Sequence, residues 1–311
     1  MVNWIQVLRK HLVARLATSA GLRQHAVAVD DAGTVIDFWL PDNDDAPDRK
    51  QKQRKKHQPV VLVHGFAGDG IMTWVLLVGA LTNRGYDVYV PDLVHFGGST
   101  SPLLDRSMAF EARCLAAALR KLVVGAADVV GWSYGGFVAF ELAAVYPDLV
   151  RSIIATGSTV EYTSAMRDDL LGRLGWAQSL TELLVPESVG QLRLLFSNAM
   201  HMKPWFLDRL LRDFLKVMYF NRKERAEMIE DIVVGDTEAF APVFQQSILL
   251  LWGENDNMWP IEDAESLKNK LGEKANLRRI SKGGHLVQLE RPCVFNSNLI
   301  EFLAHGNTRS S

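Results

Sequence analysis

The stretch Val129-Val130-Gly131-Trp132-Ser133-Tyr134-Gly135-Gly136 constrains this chain more than any other. The apolar run Ala126 to Val130 reads as a short buried strand, and Phe137 to Tyr146 has the apolar density of a buried helix, closed by Pro147. Between them lies Gly-x-Ser-x-Gly, at Gly131, Ser133 and Gly135. A strand that turns sharply into a helix through this motif sets the serine on a strained turn with its hydroxyl exposed, while the glycines let backbones approach closely. The motif is short, and a plain Gly/Ser loop would satisfy it, so its meaning depends on what surrounds it.

Strand and helix alternate on both sides. Ala26 to Val29 and Thr34 to Leu40 read as a hairpin joined by Asp30-Asp31-Ala32-Gly33. Pro59 to Val63 is a continuous apolar run, as expected of a strand buried on both faces, and it ends in His64-Gly65-Phe66-Ala67-Gly68. A helix over Trp74 to Leu81 and a strand over Asp87 to Val90 follow, the latter running into Pro91-Asp92-Leu93-Val94-His95-Phe96-Gly97. Met108 to Leu122 is helical, and Val150 to Ala155 is the next strand after the Ser133 turn. This rhythm predicts a parallel sheet covered by helices on both faces.

From Gly157 to about Ala241 the rhythm stops, giving four or five helices and no convincing strand. The clearest opens at Pro204-Trp205-Phe206-Leu207, with Leu210, Leu211, Phe214 and Leu215 on its apolar face. The alternation resumes at Ser247 to Trp252, followed by Gly253-Glu254-Asn255-Asp256, a helix over Ile261 to Leu271, a strand over Asn276 to Ile280, and then Gly283-Gly284-His285. A last helix runs from Pro292 to Leu303. The expected organisation is an N-terminal amphipathic helix (residues 1–25), a core in two pieces (26–157 and 242–311), and a helical cap (158–241) inserted between them.

Two segments stand outside the core pattern. Residues 1 to 24 hold no acid, and Trp4, Ile5, Leu8, Leu12, Val13 and Leu16 recur at helical spacing beside Arg9, Lys10 and Arg15. A helix docked on the body, a basic helix lying on a membrane surface and a transit peptide all fit this pattern. Between Pro41 and Gln58, four aspartates precede six basic residues, which reads as a solvated loop whose opposite charges largely neutralise each other. A formal net charge of −2 gives no reason to expect nucleic acid as a partner. Cys114 and Cys293 are too few and too far apart for a disulfide framework or a metal site, and no unbroken apolar run approaches the ~20 residues of a membrane span. The expectation is a cytoplasmic protein, peripheral to a membrane if the N-terminal helix binds one.

Ser133, Asp256 and His285 all fall at the carboxyl ends of predicted parallel strands, where open α/β sheets place their sites. With Glu254 as a rival acid two residues from Asp256, they supply a nucleophile, a base and a group to orient the base. Their order in the chain, together with the turn at Ser133 and the His64-Gly65 turn after an earlier strand, resembles the α/β-hydrolase fold family, in its serine-nucleophile branch. The resemblance covers about residues 26 to 304 and implies a mostly parallel eight-stranded sheet with an inserted all-helical cap.

It further implies a serine hydrolase cleaving a carboxylic ester through an acyl-enzyme, needing no metal or organic cofactor. His285 would be the base and Asp256 its orienting acid, favoured over Glu254 because Trp252-Gly253-x-x-Asp256-x-x-x-Pro260 matches the family's form. The backbone N–H groups of Phe66 and Tyr134 would form the oxyanion hole, and Trp132, His64, His95 and Leu286 would border the substrate. The pattern looks like plant monoacylglycerol lipase and esterase members, and a cap rich in apolar residues such as Leu170, Trp176, Phe196, Met200 and Phe206 suits an apolar acyl or aryl ester. The small-molecule ester is the expected partner, with membrane contact through the N-terminal helix as a second expectation. Two departures bear on this: His95 stands where many members have glycine, and Leu286 stands where members that cleave carbon–carbon bonds often have tryptophan. A carbon–carbon bond hydrolase, a thioesterase and a hormone-like receptor that keeps the triad are the competing readings.

Overall fold

A computed structural model describes residues 2–42, 58–203, 205–234 and 242–308. The chain enters through α1 (Trp4–Leu8), a π-helical turn (Arg9–Val13) and α2 (Ala14–Ser19). Next come β1 (Leu22–Ala28), β2 (Val35–Pro41), β3 (Gln58–Val63), α3 (Gly70–Thr82), β4 (Tyr86–Pro91), α4 (Met108–Lys121), β5 (Ala127–Trp132), α5 (Tyr134–Val145) and β6 (Val150–Thr156). The N-terminal helix ends at Ser19, Gly21 takes a left-handed turn, and β1 starts at Leu22, whose side chain is buried. The charged stretch between residues 43 and 57 lies outside the described residues.

The sheet has eight strands in the order β1-β2-β4-β3-β5-β6-β9-β10, where β9 is Ser247–Gly253 and β10 is Ala275–Ile280. The β1/β2 and β2/β4 pairs are antiparallel and the remaining five are parallel. The central strands are buried on both faces, and their period of two divides the core. Val60, Leu62 and Val130 pack with α2, α3, α12 (Val287–Glu290) and α13 (Pro292–Thr308) on one side, where Trp74, Phe295 and Leu299 fill the layer. Val61, Val63 and Val129 pack on the other with α4, α5 and α11 (Ile261–Leu271), against Phe110, Leu115, Phe140 and Leu267. Each fully buried aliphatic side chain stabilises the fold by about 2 kcal/mol.

Between β6 and β9 the chain makes a helical insertion: α6 (Ser164–Leu174), α7 (Leu180–Leu184), α8 (Val189–Ala199), α9 (Asp208–Met218) and α10 (Arg222–Asp231). Its base holds a small parallel ribbon that the sequence did not suggest, β7 (Tyr162–Thr163) with β8 (Val233–Val234). Side-chain caps fix several starts, among them Thr163 on α6 and the reciprocal Ser188–Gln191 box on α8. The helix read from Pro204 begins instead at Asp208, and Pro204 itself lies outside the described residues.

The N-terminal helix docks on this body by a minority of its apolar residues. Ile5, Val13 and Ala17 are buried, whereas Trp4, Leu8, Leu12 and Leu16 are 39% to 52% exposed and line up at intervals of four. Arg9 fixes the helix by pairing with the buried carboxylate of Asp69 at 2.7 Å, and the Trp4 N–H donates to Asp213 of α9 at 2.9 Å. Among the described residues no helix is long and apolar enough to cross a membrane.

Candidate active site

Every residue singled out at a strand end lies at the carboxyl edge of the sheet, which is a consequence of the parallel pairing. Ser133 follows β5 directly and takes φ 53°, ψ −122°, a conformation costly for any residue with a Cβ. The turn is held by Ser133 N–H donating to Thr156 O at 2.9 Å and Gly136 N–H donating to Ser133 O at 2.8 Å. A Cβ on Gly135 would lie 2.4 Å from the carbonyl oxygens of both Val63 and His64, so only glycine lets α5 start this close to β3. Ser133 is half-buried and its hydroxyl makes no hydrogen bond with the described residues.

His285 sits after β10, buried, with Nδ1 2.9 Å from Asp256 Oδ2. The other oxygen of Asp256 accepts the backbone N–H groups of Met258 and Trp259 at 2.8 and 2.9 Å, which fixes the carboxylate's orientation. Glu254, the rival acid, is exposed. Four hydrogen bonds brace the histidine loop. The Trp132 indole N–H donates to His285 O at 2.8 Å, His285 N–H donates to Ala199 O of α8 at 2.7 Å, and Glu290 accepts the N–H groups of Gly284 and Met202 at 2.7 and 2.9 Å. Trp132 is therefore a buried brace beneath the imidazole, its ring 5.4 Å from that of His285 between centroids.

His64 is fully buried and occupied at both nitrogens. Nε2 accepts the Leu93 N–H at 2.9 Å, so Nδ1 carries the proton and donates to Gly65 O at 2.7 Å. Burial pushes its pKa down to about 4, so it is neutral at physiological pH and shapes the loop that carries Phe66. The Phe66 and Tyr134 N–H groups have no partner among the described residues. Their rings pack edge to face at 5.6 Å and meet Phe96 at 5.3 and 6.3 Å, making a buried aromatic wall under the loops that carry Phe66 and Ser133. His95 is buried with a left-handed φ of 66°, its carbonyl accepts from Asn221, and burial lowers its pKa to about 4. Leu286, next to His285, is half-buried and packs against the core.

Several contributors carried no local signal in the sequence. Gly157 has φ 56°, and a Cβ there would come within 2.6 Å of the His285 ring. Glu290 and Ala199 act across long sequence separations, with nothing in their neighbourhoods to mark them. A cavity of about 450 Å³ between the insertion and the sheet edge is lined by Arg173, Met200, His201, Lys203, Glu254 and Asp256, but not by Ser133 or His285, so it lies beside the candidate chemistry. Among the described residues no three His, Cys, Asp or Glu side chains are grouped to hold a metal ion.

A sequence profile of the family described as the alpha/beta hydrolase fold matches residues 58–292. Lipase 1 of Psychrobacter immobilis is 25% identical over 238 residues, spanning 75% of this chain and 73% of its own. The 2-hydroxy-6-oxo-2,4-heptadienoate hydrolase of Pseudomonas putida is 26% identical over 261 residues, spanning 79% and 89% respectively. Among solved structures, a putative lipase from Acinetobacter baumannii superposes with a TM-score of 0.78 at 21% identity, covering 99% of this chain and 98% of that one.

Proposed function

The chain belongs to the α/β-hydrolase fold family, and from that premise we propose that it is a serine hydrolase cleaving a carboxylic ester through an acyl-enzyme. The observation that carries this reading is that Ser133, on its strained turn, and the buried His285–Asp256 pair follow parallel strands at one edge of the sheet, with the Phe66 and Tyr134 N–H groups unpartnered among the described residues. A serine hydroxyl must lose its proton as it attacks. In this mechanism His285 accepts that proton through Nε2, the nitrogen turned away from Asp256, while Asp256 holds the ring in that tautomer and stabilises the imidazolium. The N–H groups of Phe66 and Tyr134 receive the negative charge that develops on the carbonyl oxygen. His285 then protonates the departing alcohol, and water repeats the sequence to release the acid.

The wall formed by Phe66, Phe96 and Tyr134 favours an apolar acyl or aryl group next to the scissile bond. A lipid-like ester such as a monoacylglycerol fits that wall. The exposed stripe Trp4-Leu8-Leu12-Leu16, flanked by basic side chains in a segment without acids, supports reversible contact of the N-terminal helix with an anionic membrane surface. A second reading, carbon–carbon bond hydrolysis, is supported by likeness to the Pseudomonas putida hydrolase. Product analysis on an aryl ester and on a vinylogous 1,5-diketone separates the two. Multiple turnover of the ester with the diketone intact is expected; the reverse preference would replace ester cleavage with carbon–carbon cleavage.

A further inference from the structure

Arg225 of α10 is 0% exposed, and its Nε and Nη1 have no hydrogen-bond partner among the described residues. Its guanidinium lies 4.1 Å over the centre of the Phe96 ring and 5.2 Å from that of Tyr219. Three more buried polar atoms around the same aromatic group are also without partners: the hydroxyls of Tyr219 and Tyr134, and Nε2 of His95. Folded proteins pair nearly all such groups, and a buried guanidinium without an acceptor is among the costliest to leave unpaired. Stacking on Phe96 offsets only part of that cost.

Asp69 and Asp92 do not supply the missing partner. Asp69 is taken up by the Met72 N–H and by Arg9, and Asp92 by the N–H groups of Gly70 and Gly98. Burial, with Asp69 alongside, pushes the Asp92 carboxyl up to about 8, which weakens it as a counter-charge for Arg225. A single carboxylate supplies one negative charge and acceptor oxygens for the unpaired guanidinium N–H groups.

We propose that Arg225, with the hydroxyls of Tyr219 and Tyr134, forms a carboxylate subsite in the seam between the insertion and the sheet edge, so that the ester cleaved at Ser133 carries a free acid at its far end. The Phe66, Phe96 and Tyr134 rings are 0% to 3% exposed, so the substrate would part this seam to lie apolar against the rings and anionic at Arg225. This deepens the ester-hydrolase reading and rests on it for the position of the scissile bond.

The test compares para-nitrophenyl octanoate with the mono-para-nitrophenyl ester of octanedioic acid, which has the same chain length and a terminal carboxylate. Wild-type protein is expected to favour the half-ester in kcat/KM by about 10-fold or more, the size expected for a buried hydrogen bond to a charged group. Arg225→Met should lose that preference and Arg225→Lys should keep part of it. Equal or poorer use of the half-ester by the wild type overturns the subsite, and so does a preference that survives in Arg225→Met. The wild-type comparison needs no variant to fold. Calorimetric titration of Ser133→Ala with octanedioate separates the two claims. Binding that Arg225→Met removes, in a protein that hydrolyses neither ester, would keep the subsite and reject ester cleavage. Cleavage of the octanoate ester with no binding of octanedioate would do the reverse.

Discussion

At the scale of single residues, the site depends on backbone positions that tolerate almost nothing else. Gly157 follows β6 with φ 56° and faces the His285 ring at a distance where no Cβ fits. Gly157→Ala should displace the imidazole from Ser133 and lower kcat on a para-nitrophenyl ester by about 100-fold, the penalty expected of a misplacement near 1 Å. An unchanged kcat would mean that the imidazole does not need this position. Glu111 makes a second prediction. It is fully buried, accepts only the Val94 N–H, and desolvation pushes its pKa up to about 8. Between its ordinary value and 8 the folded state keeps a proton that the unfolded chain has lost, so this group's contribution to stability falls as pH rises. His64 and His95, both lowered to about 4, act in the opposite sense below their ordinary value of 6.5, so the informative window is pH 6.5 to 8. Across it, denaturant titration should find Glu111→Gln losing less stability than wild type, by up to about 1.4 kcal/mol per pH unit; parallel slopes would contradict the assignment.

At the scale of elements, the N-terminal helix marks where periodicity stops being informative. The spacing of Trp4, Ile5, Leu8, Leu12, Val13 and Leu16 announced an amphipathic helix, but a helix with apolar residues around much of its circumference does not declare which of them meet the core. That choice is made by Arg9 reaching Asp69 and by Asp213 accepting the Trp4 N–H, contacts across 60 and 209 residues of sequence that leave no local trace. The stripe left outside carries the membrane proposal. Replacing Trp4, Leu8 and Leu12 together by glutamine changes only exposed positions, and should reduce sedimentation with phosphatidylserine-containing vesicles at least 10-fold while leaving the melting temperature within about 2 °C. Equal sedimentation of both proteins would reject contact through this face. The strands were easier to read, because a buried parallel strand is a continuous apolar run between turn residues, as in Val60 to Val63 and Leu249 to Leu251. The ribbon of β7 and β8 was not legible, since two residues per strand carry no periodicity.

At the scale of the whole molecule, the sheet explains why distant motifs meet. Parallel order carries the ends of β3, β5, β9 and β10 to one edge, so the loops bearing Phe66, Ser133, Asp256 and His285 converge there although 219 residues separate the first from the last. These four were visible in sequence because each is a short signature at a strand end. Gly157, Glu290 and Arg225 were not, because each matters only through what the fold sets against it. The insertion is tied into the same machinery: Ala199 holds the backbone of His285, and α10 brings Arg225 over Phe96. The central claim is that this convergence activates one serine. The most direct measurement is labelling with a fluorophosphonate probe, run beside Ser133→Ala and located by peptide mass spectrometry. Stoichiometric labelling of Ser133, lost in the variant together with para-nitrophenyl ester turnover, is the expected result. Folded wild-type protein that takes no label, or takes it equally in Ser133→Ala, would contradict the account.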